Sequence, residues 1–187
     1  MRDENTGSSR PHDPRRTQGA YMDGQEMWNH EGLSQEQVLR QNLAFFFKGD
    51  PDAIEFFMTL WRITQTWDDL IDKDTECADQ DINDAFRMAL IELPVNRFYA
   101  INQHILTPLI LNMILEWQDA NVLEQDSEHD RHMAWMLRAG ILEIIPMCAY
   151  IIGGADWARE QGPEMRRIYQ EKLEDFMKEM ETCHQSE

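Results

Sequence analysis

From Ser34 onward the apolar positions of this chain recur at spacings of three and four residues, the period of an α-helix with one buried face. Ser34 and Gln37 form a capping-box pair ahead of Val38, Leu39, Leu43 and Phe46, and Gly49 stops that first helix. Asp50 caps a second helix, with Pro51 at its first position, that runs to about Asp72. A third starts at Asp81 or its neighbours and ends before Pro94, and Asn96 starts a short fourth. Thr107-Pro108 restarts the chain as a fifth helix through about Glu124. Ser127 with Asp130 caps a sixth, which continues to Gly153-Gly154 with a kink expected at Pro146. Asp156 to Gln161 reads as one or two turns, and Pro163 opens a final charged helix that frays near Thr182. No segment alternates strictly between apolar and polar residues, so the pattern predicts an all-α fold, a single bundle of about six to eight helices. Residues 1–30 carry no apolar period and are expected to form a flexible tail, with the helical domain over 31–182 and a frayed end over 183–187.

The second helix holds the feature that most needs a physical account. On a wheel of 100° per residue, Ile54, Phe57, Trp61, Asp68 and Asp72 share one side, while Glu55, Arg62, Thr66 and Asp69 lie on the polar side or its edge. Asp68 and Asp72 therefore continue an apolar stripe, where a carboxylate is costly without a partner. They also lie at the helix C-terminus, where the macrodipole disfavours anions. The cluster either emerges into solvent, pairs with an Arg of a neighbouring helix, or holds a divalent cation such as Mg²⁺ through its oxygens.

A second polar stripe lies in the fifth helix. PLILNMILEWQDANVLE is apolar nearly all round except for Asn112, Glu116 and Asp119, which share one face. This is either the wet side of a buried helix or the other half of a metal site, in which Glu116 and Asp119 join Asp68, Asp69 and Asp72. Glu143 stands alone inside AGILEIIPMCAYII, and its expected companion is an Arg or a His. There is no glycine-rich phosphate loop and no nucleophile elbow, so the catalytic residues are left open.

Charge narrows the partners. With 17 Lys+Arg against 35 Asp+Glu the formal charge is −18, which opposes binding to nucleic acid phosphates or an anionic membrane surface. A basic protein partner or a homo-oligomer fits better. Three cysteines without C-x-x-C spacing suit a reducing compartment, and the longest apolar stretch, Ile141 to Ile152, is too short to span a bilayer, so a cytoplasmic protein is expected.

Three resemblances add to this reading. Thr66-Trp67-Asp68-Asp69-Leu70-Ile71-Asp72 resembles the D-D-x-x-D motif of class I isoprenoid (terpene) synthases. In that family the motif binds Mg²⁺ that grips a substrate diphosphate, which would make Asp68 and Asp72 ligands. Asp69-x-x-Asp72 with Glu116-x-x-Asp119 is similar to the carboxylate pairs around Mg²⁺ in all-α nucleoside triphosphate pyrophosphohydrolases. The stretch from WDDLIDKD through ELPVNRFY and LTPLILN to IIGGADWA resembles uncharacterised helical proteins of tailed bacteriophages, whose expression would place this chain in the host cytoplasm. The expected function is thus a phage accessory or assembly protein carrying a cation site. The alternative is a Mg²⁺-dependent enzyme acting on a diphosphate or nucleotide.

Overall fold

A computed structural model describes residues 32–73, 76–169 and 171–184, with the side chains of Asp72, Tyr169, Glu179 and 181–184 left out. The expected tail over 1–30 and the last three residues lie outside the described residues. The rest is helical, with no strand among the described residues, as the periodicity predicts. The helices are α1 Gln35–Phe46, α2 Pro51–Asp72, α3 Asp79–Arg87, α4 Arg97–Leu123, α5 Glu128–Arg138, α6 Ile144–Tyr169 and α7 Leu173–His184.

The caps predicted from sequence form. Ser34 Oγ accepts the Gln37 N–H while the Gln37 side chain accepts from the Ser34 N–H, which closes the capping box at α1. Asp50 accepts from Ala53 N–H at 3.0 Å, and Ser127 and Asp130 close a second box at α5.

Four boundaries differ from the pattern. Past Arg87, α3 widens into a π turn over Met88–Glu92 and then a single α turn over Leu93–Val95, instead of stopping before Pro94. Pro94 has no N–H and its ring crowds the carbonyl of Leu90, so the turn ahead of it opens. The two helices expected on either side of Thr107-Pro108 are one, α4, with Pro108 inside it. Pro108 and His104 are both exposed, so the carbonyl that proline leaves without an amide faces water. The break expected at Pro146 comes earlier, where α5 ends and a 3₁₀ turn, Gly140–Glu143, leads into α6. Pro146 then falls in the first turn of α6, where amide donors have no helical partner to lose. Pro163 likewise lies within α6 instead of opening a helix.

The main core gathers Leu43, Phe46, Phe47, Phe56, Phe57, Leu106, Ile144, Ile145 and Cys148, all at 1% exposure or less. Phe56 stacks on Tyr99, with ring centroids 5.5 Å apart. Burial pushes the Cys148 thiol far above its usual range, so it behaves as a small apolar side chain. Asn42 is also buried in α1, and neither polar atom of its side chain meets a protein partner. A satellite core of Ala120, Ala134, Phe176 and Met180 joins α4, α5 and α7. There Trp135 Nε1 donates to the Glu171 carbonyl at 2.8 Å.

The α4–α5 hairpin is latched by a buried ion pair. Glu124, fully buried, receives Arg138 through both Nε and a terminal guanidinium nitrogen. The same guanidinium donates to Asn121 Oδ1 at 2.8 Å, and Arg131 Nε donates to the Glu124 carbonyl at 3.3 Å. On the surface, Arg40 binds Glu55 and holds its carboxyl below the usual range, and Arg62 pairs with Glu36. Glu143 does pair with an Arg: Arg166 grips it through both terminal nitrogens, at a half-exposed position and not in the core.

The backbone at Gly153-Gly154 carries a local device. Gly154 adopts φ 80° and ψ 179°, a conformation essentially reserved for glycine, and the helical path breaks there. At Gly153 a Cβ would lie 2.4 Å from the Trp157 ring, so the indole folds back over a bare backbone. Trp157 Nε1 donates to the Phe46 carbonyl at 2.9 Å, and Lys48 Nζ stands 4.6 Å from the ring centroid. The other late carbonyls of α1 already accept from backbone: Leu43 from Phe47, Ala44 from Gly49 and Phe45 from Lys48. Trp157 satisfies the carbonyl that remained.

Candidate functional site

The aspartate cluster sits where α2 leaves the core. Residues 53, 54 and 56–60 are buried almost all round the helix, while 61–69 are half-buried, so Asp68 lies at the rim of the core. Its Oδ1 accepts the indole N–H of Trp117 on α4 at 3.0 Å. Trp67 packs on the same indole, with centroids 4.3 Å apart and planes at 46°. A carboxylate on an apolar stripe needs a donor, and one donor here is a neutral N–H from the facing helix. Such a hydrogen bond to a charged group is worth about 1.5–3 kcal/mol.

Asp69 is half-buried, and its carbonyl accepts from Lys73, which ends α2 in the left-handed conformation at φ 57°. The side chain of Asp72 lies outside the described residues. On α4, Asn112 Nδ2 donates to Glu116 Oε1 at 2.6 Å, and Glu116 Oε2 reaches the 3₁₀ turn. A Cβ on Gly140 would lie 2.6 Å from that oxygen and 3.3 Å from the Met113 Cα, so the glycine lets the turn approach α4 closely. Asp119 is exposed.

α2 and α4 meet along their length, and at the aspartate cluster Asp68 contacts Trp117, the residue next to Glu116. Glu116 is engaged by Asn112 and turned toward Gly140. Among the described residues, no three His, Cys, Asp or Glu side chains converge as metal ligands. Sequence reasoning missed Trp117 and Gly140. The signal for Trp117 was available, because an indole N–H in a largely apolar helix also needs a partner.

The anchoring role has a direct test. Trp117→Phe keeps an aromatic ring and removes the N–H, and is expected to cost about 1.5–3 kcal/mol in urea unfolding. Asp68→Asn keeps an acceptor and should cost less than half of that. Millimolar Mg²⁺ should leave the melting temperature of the wild type unchanged. A Mg²⁺-dependent rise that disappears in Asp68→Asn would assign the carboxylate to a cation instead.

Fold and site together define an all-α bundle whose two central helices are tied by a carboxylate–indole contact. No protein-family model, curated protein or solved structure matches the chain at a significant level.

Two helical stretches, Arg97–Leu123 and Gly140–Lys178, are long and apolar enough to cross a membrane by length and composition. Merging across Pro108 makes the first of them, and the second is interrupted at Gly154.

Proposed function

We propose that this chain is an accessory or assembly protein, of the kind tailed bacteriophages encode, that works by binding a basic, amphipathic segment of another protein. The observation that carries this reading is the outer surface of α3 and its π turn. Phe86, Leu90, Ile91 and Val95 are each at least 60% exposed there, on a short segment that also presents Asp79 and Asp81 to water. Large apolar side chains grouped on a surface mark an interaction site. An acidic rim within a chain of charge −18 selects a cationic partner and speeds its encounter. The π turn adds to this, because such turns widen a helix and re-aim its side chains.

Hydrogen exchange tests the location. An amphipathic Lys/Leu helical peptide should slow exchange over residues 79–95 and leave α7 unchanged. Protection spread evenly over the acidic surface, or confined to another helix, would contradict the reading.

A further inference from the structure

α4 carries a second unpartnered surface of a different kind. Ile101, His104, Pro108, Leu111, Leu115, Gln118 and Val122 follow one another at alternating steps of three and four residues, and all seven are exposed. This is the a/d spacing of a coiled-coil seam, facing water. Its apolar members are not marginally exposed: Ile101 is at 63%, Leu111 at 56%, Leu115 at 49% and Val122 at 66%.

We infer that this seam pairs with the same seam of a second copy, antiparallel, to make a two-fold dimer. The order of the seam is the first argument. Read from either end it runs apolar, polar, three apolar, polar, apolar, with Leu111 at its middle. A two-fold interface between antiparallel helices requires such self-complementarity, because each residue meets the one at the mirrored position. The pairing sets apolar on apolar and brings His104 of each copy opposite Gln118 of the other.

Charge is the second argument. The chain as a whole is 28% charged, yet the 27 residues of α4 contain only Arg97, Glu116 and Asp119. Two bodies of charge −18 can approach most cheaply on this face. Of the two acids within α4, Asp119 is the exposed one. A parallel pair would set the two copies of it side by side. Antiparallel pairing about Leu111 separates them by about 24 Å along the axis, beyond the screening length.

Area is the third. The seam is about 32 Å long, and closing two such strips removes on the order of 1,000 Å² from water, the level at which a specific interface begins.

Sedimentation of the full chain tests this. The wild type should sediment at twice the 22.1 kDa chain mass, and Leu115→Glu should raise the dissociation constant at least about 30-fold. Its far-ultraviolet dichroism should not change, since the side chain is exposed. Phe86→Asp, on the proposed partner-binding surface, should leave the dimer intact, so the two readings fail separately. With Cys77 and Cys183 replaced by Ser, Leu111→Cys should cross-link to its copy under mild oxidation and Ile101→Cys should not. A monomeric wild type, a dimer that survives Leu115→Glu, cross-links at both positions, or a monomer that floats with lipid vesicles would each overturn the inference.

Discussion

Arg138→Ala is expected to lower the unfolding free energy by about 3–5 kcal/mol, because it leaves the Glu124 carboxylate in the core without its cation. Glu124 is fully buried at the end of α4, and Arg138 reaches it from the last turn of α5. Arg131 donates to the Glu124 carbonyl, and Gln125 Nε2 stands 3.5 Å from its carboxylate. The latch closes the α4–α5 hairpin above the satellite core, so Ala120, Ala134, Phe176 and Met180 should loosen with it. A double variant, Glu124→Leu with Arg138→Leu, should recover most of the loss, since two apolar groups leave no charge to desolvate. Urea unfolding of the wild type, the single variant and the double variant decides the matter. A single-variant loss below about 1 kcal/mol would mean that water reaches Glu124.

Trp157→Ala is expected to cost about 3 kcal/mol, near the lower end for removing a large aromatic side chain, because the indole is half-buried. The loss has separable parts. Trp157→Phe keeps the ring beside Phe45 and under Lys48 but removes the N–H that satisfies Phe46, and should cost about 1 kcal/mol. Gly154→Ala should cost about 1–3 kcal/mol through backbone strain alone, while leaving the indole chemistry unchanged. If Trp157→Ala and Gly154→Ala act through one device, their double variant should cost less than the sum of the two. Thermal unfolding followed by tryptophan fluorescence and by dichroism provides the comparison.

Most of the helical framework was legible because its start signals are local. Ser34 with Gln37, Asp50 with Pro51, and Ser127 with Asp130 each satisfy amides within their own first turn, so no tertiary knowledge is needed to read them. The prolines were misread where tertiary setting decides. Pro108 costs α4 one hydrogen bond, but its exposed position lets water replace it, and the helix continues through it. Pro146 changed meaning once the 3₁₀ turn placed it at a helix start.

The candidate site was legible only in half. The wheel rightly set Asp68 on the stripe that leads into the core and rightly demanded a partner. It could not supply Trp117, which is 49 residues away and donates without carrying charge. An indole N–H is one donor that such a carboxylate oxygen can accept from, and it carries no charge that a pattern of acids and bases would show. The exposed seam of α4 was hidden for the opposite reason. A helix apolar nearly all round reads as buried, and the side left uncovered is fixed by how the neighbours pack.

The claim that this chain acts by contact with a basic protein segment is tested most directly by titrating a labelled amphipathic Lys/Leu peptide into the wild type and Phe86→Asp side by side. The substitution makes the chain more acidic while removing an apolar anchor. The wild type is expected to bind, binding is expected to weaken as salt rises, and Phe86→Asp is expected to bind at least about tenfold more weakly despite its extra charge. Equal or tighter binding by Phe86→Asp would show that only net charge attracts the peptide, and would contradict the account.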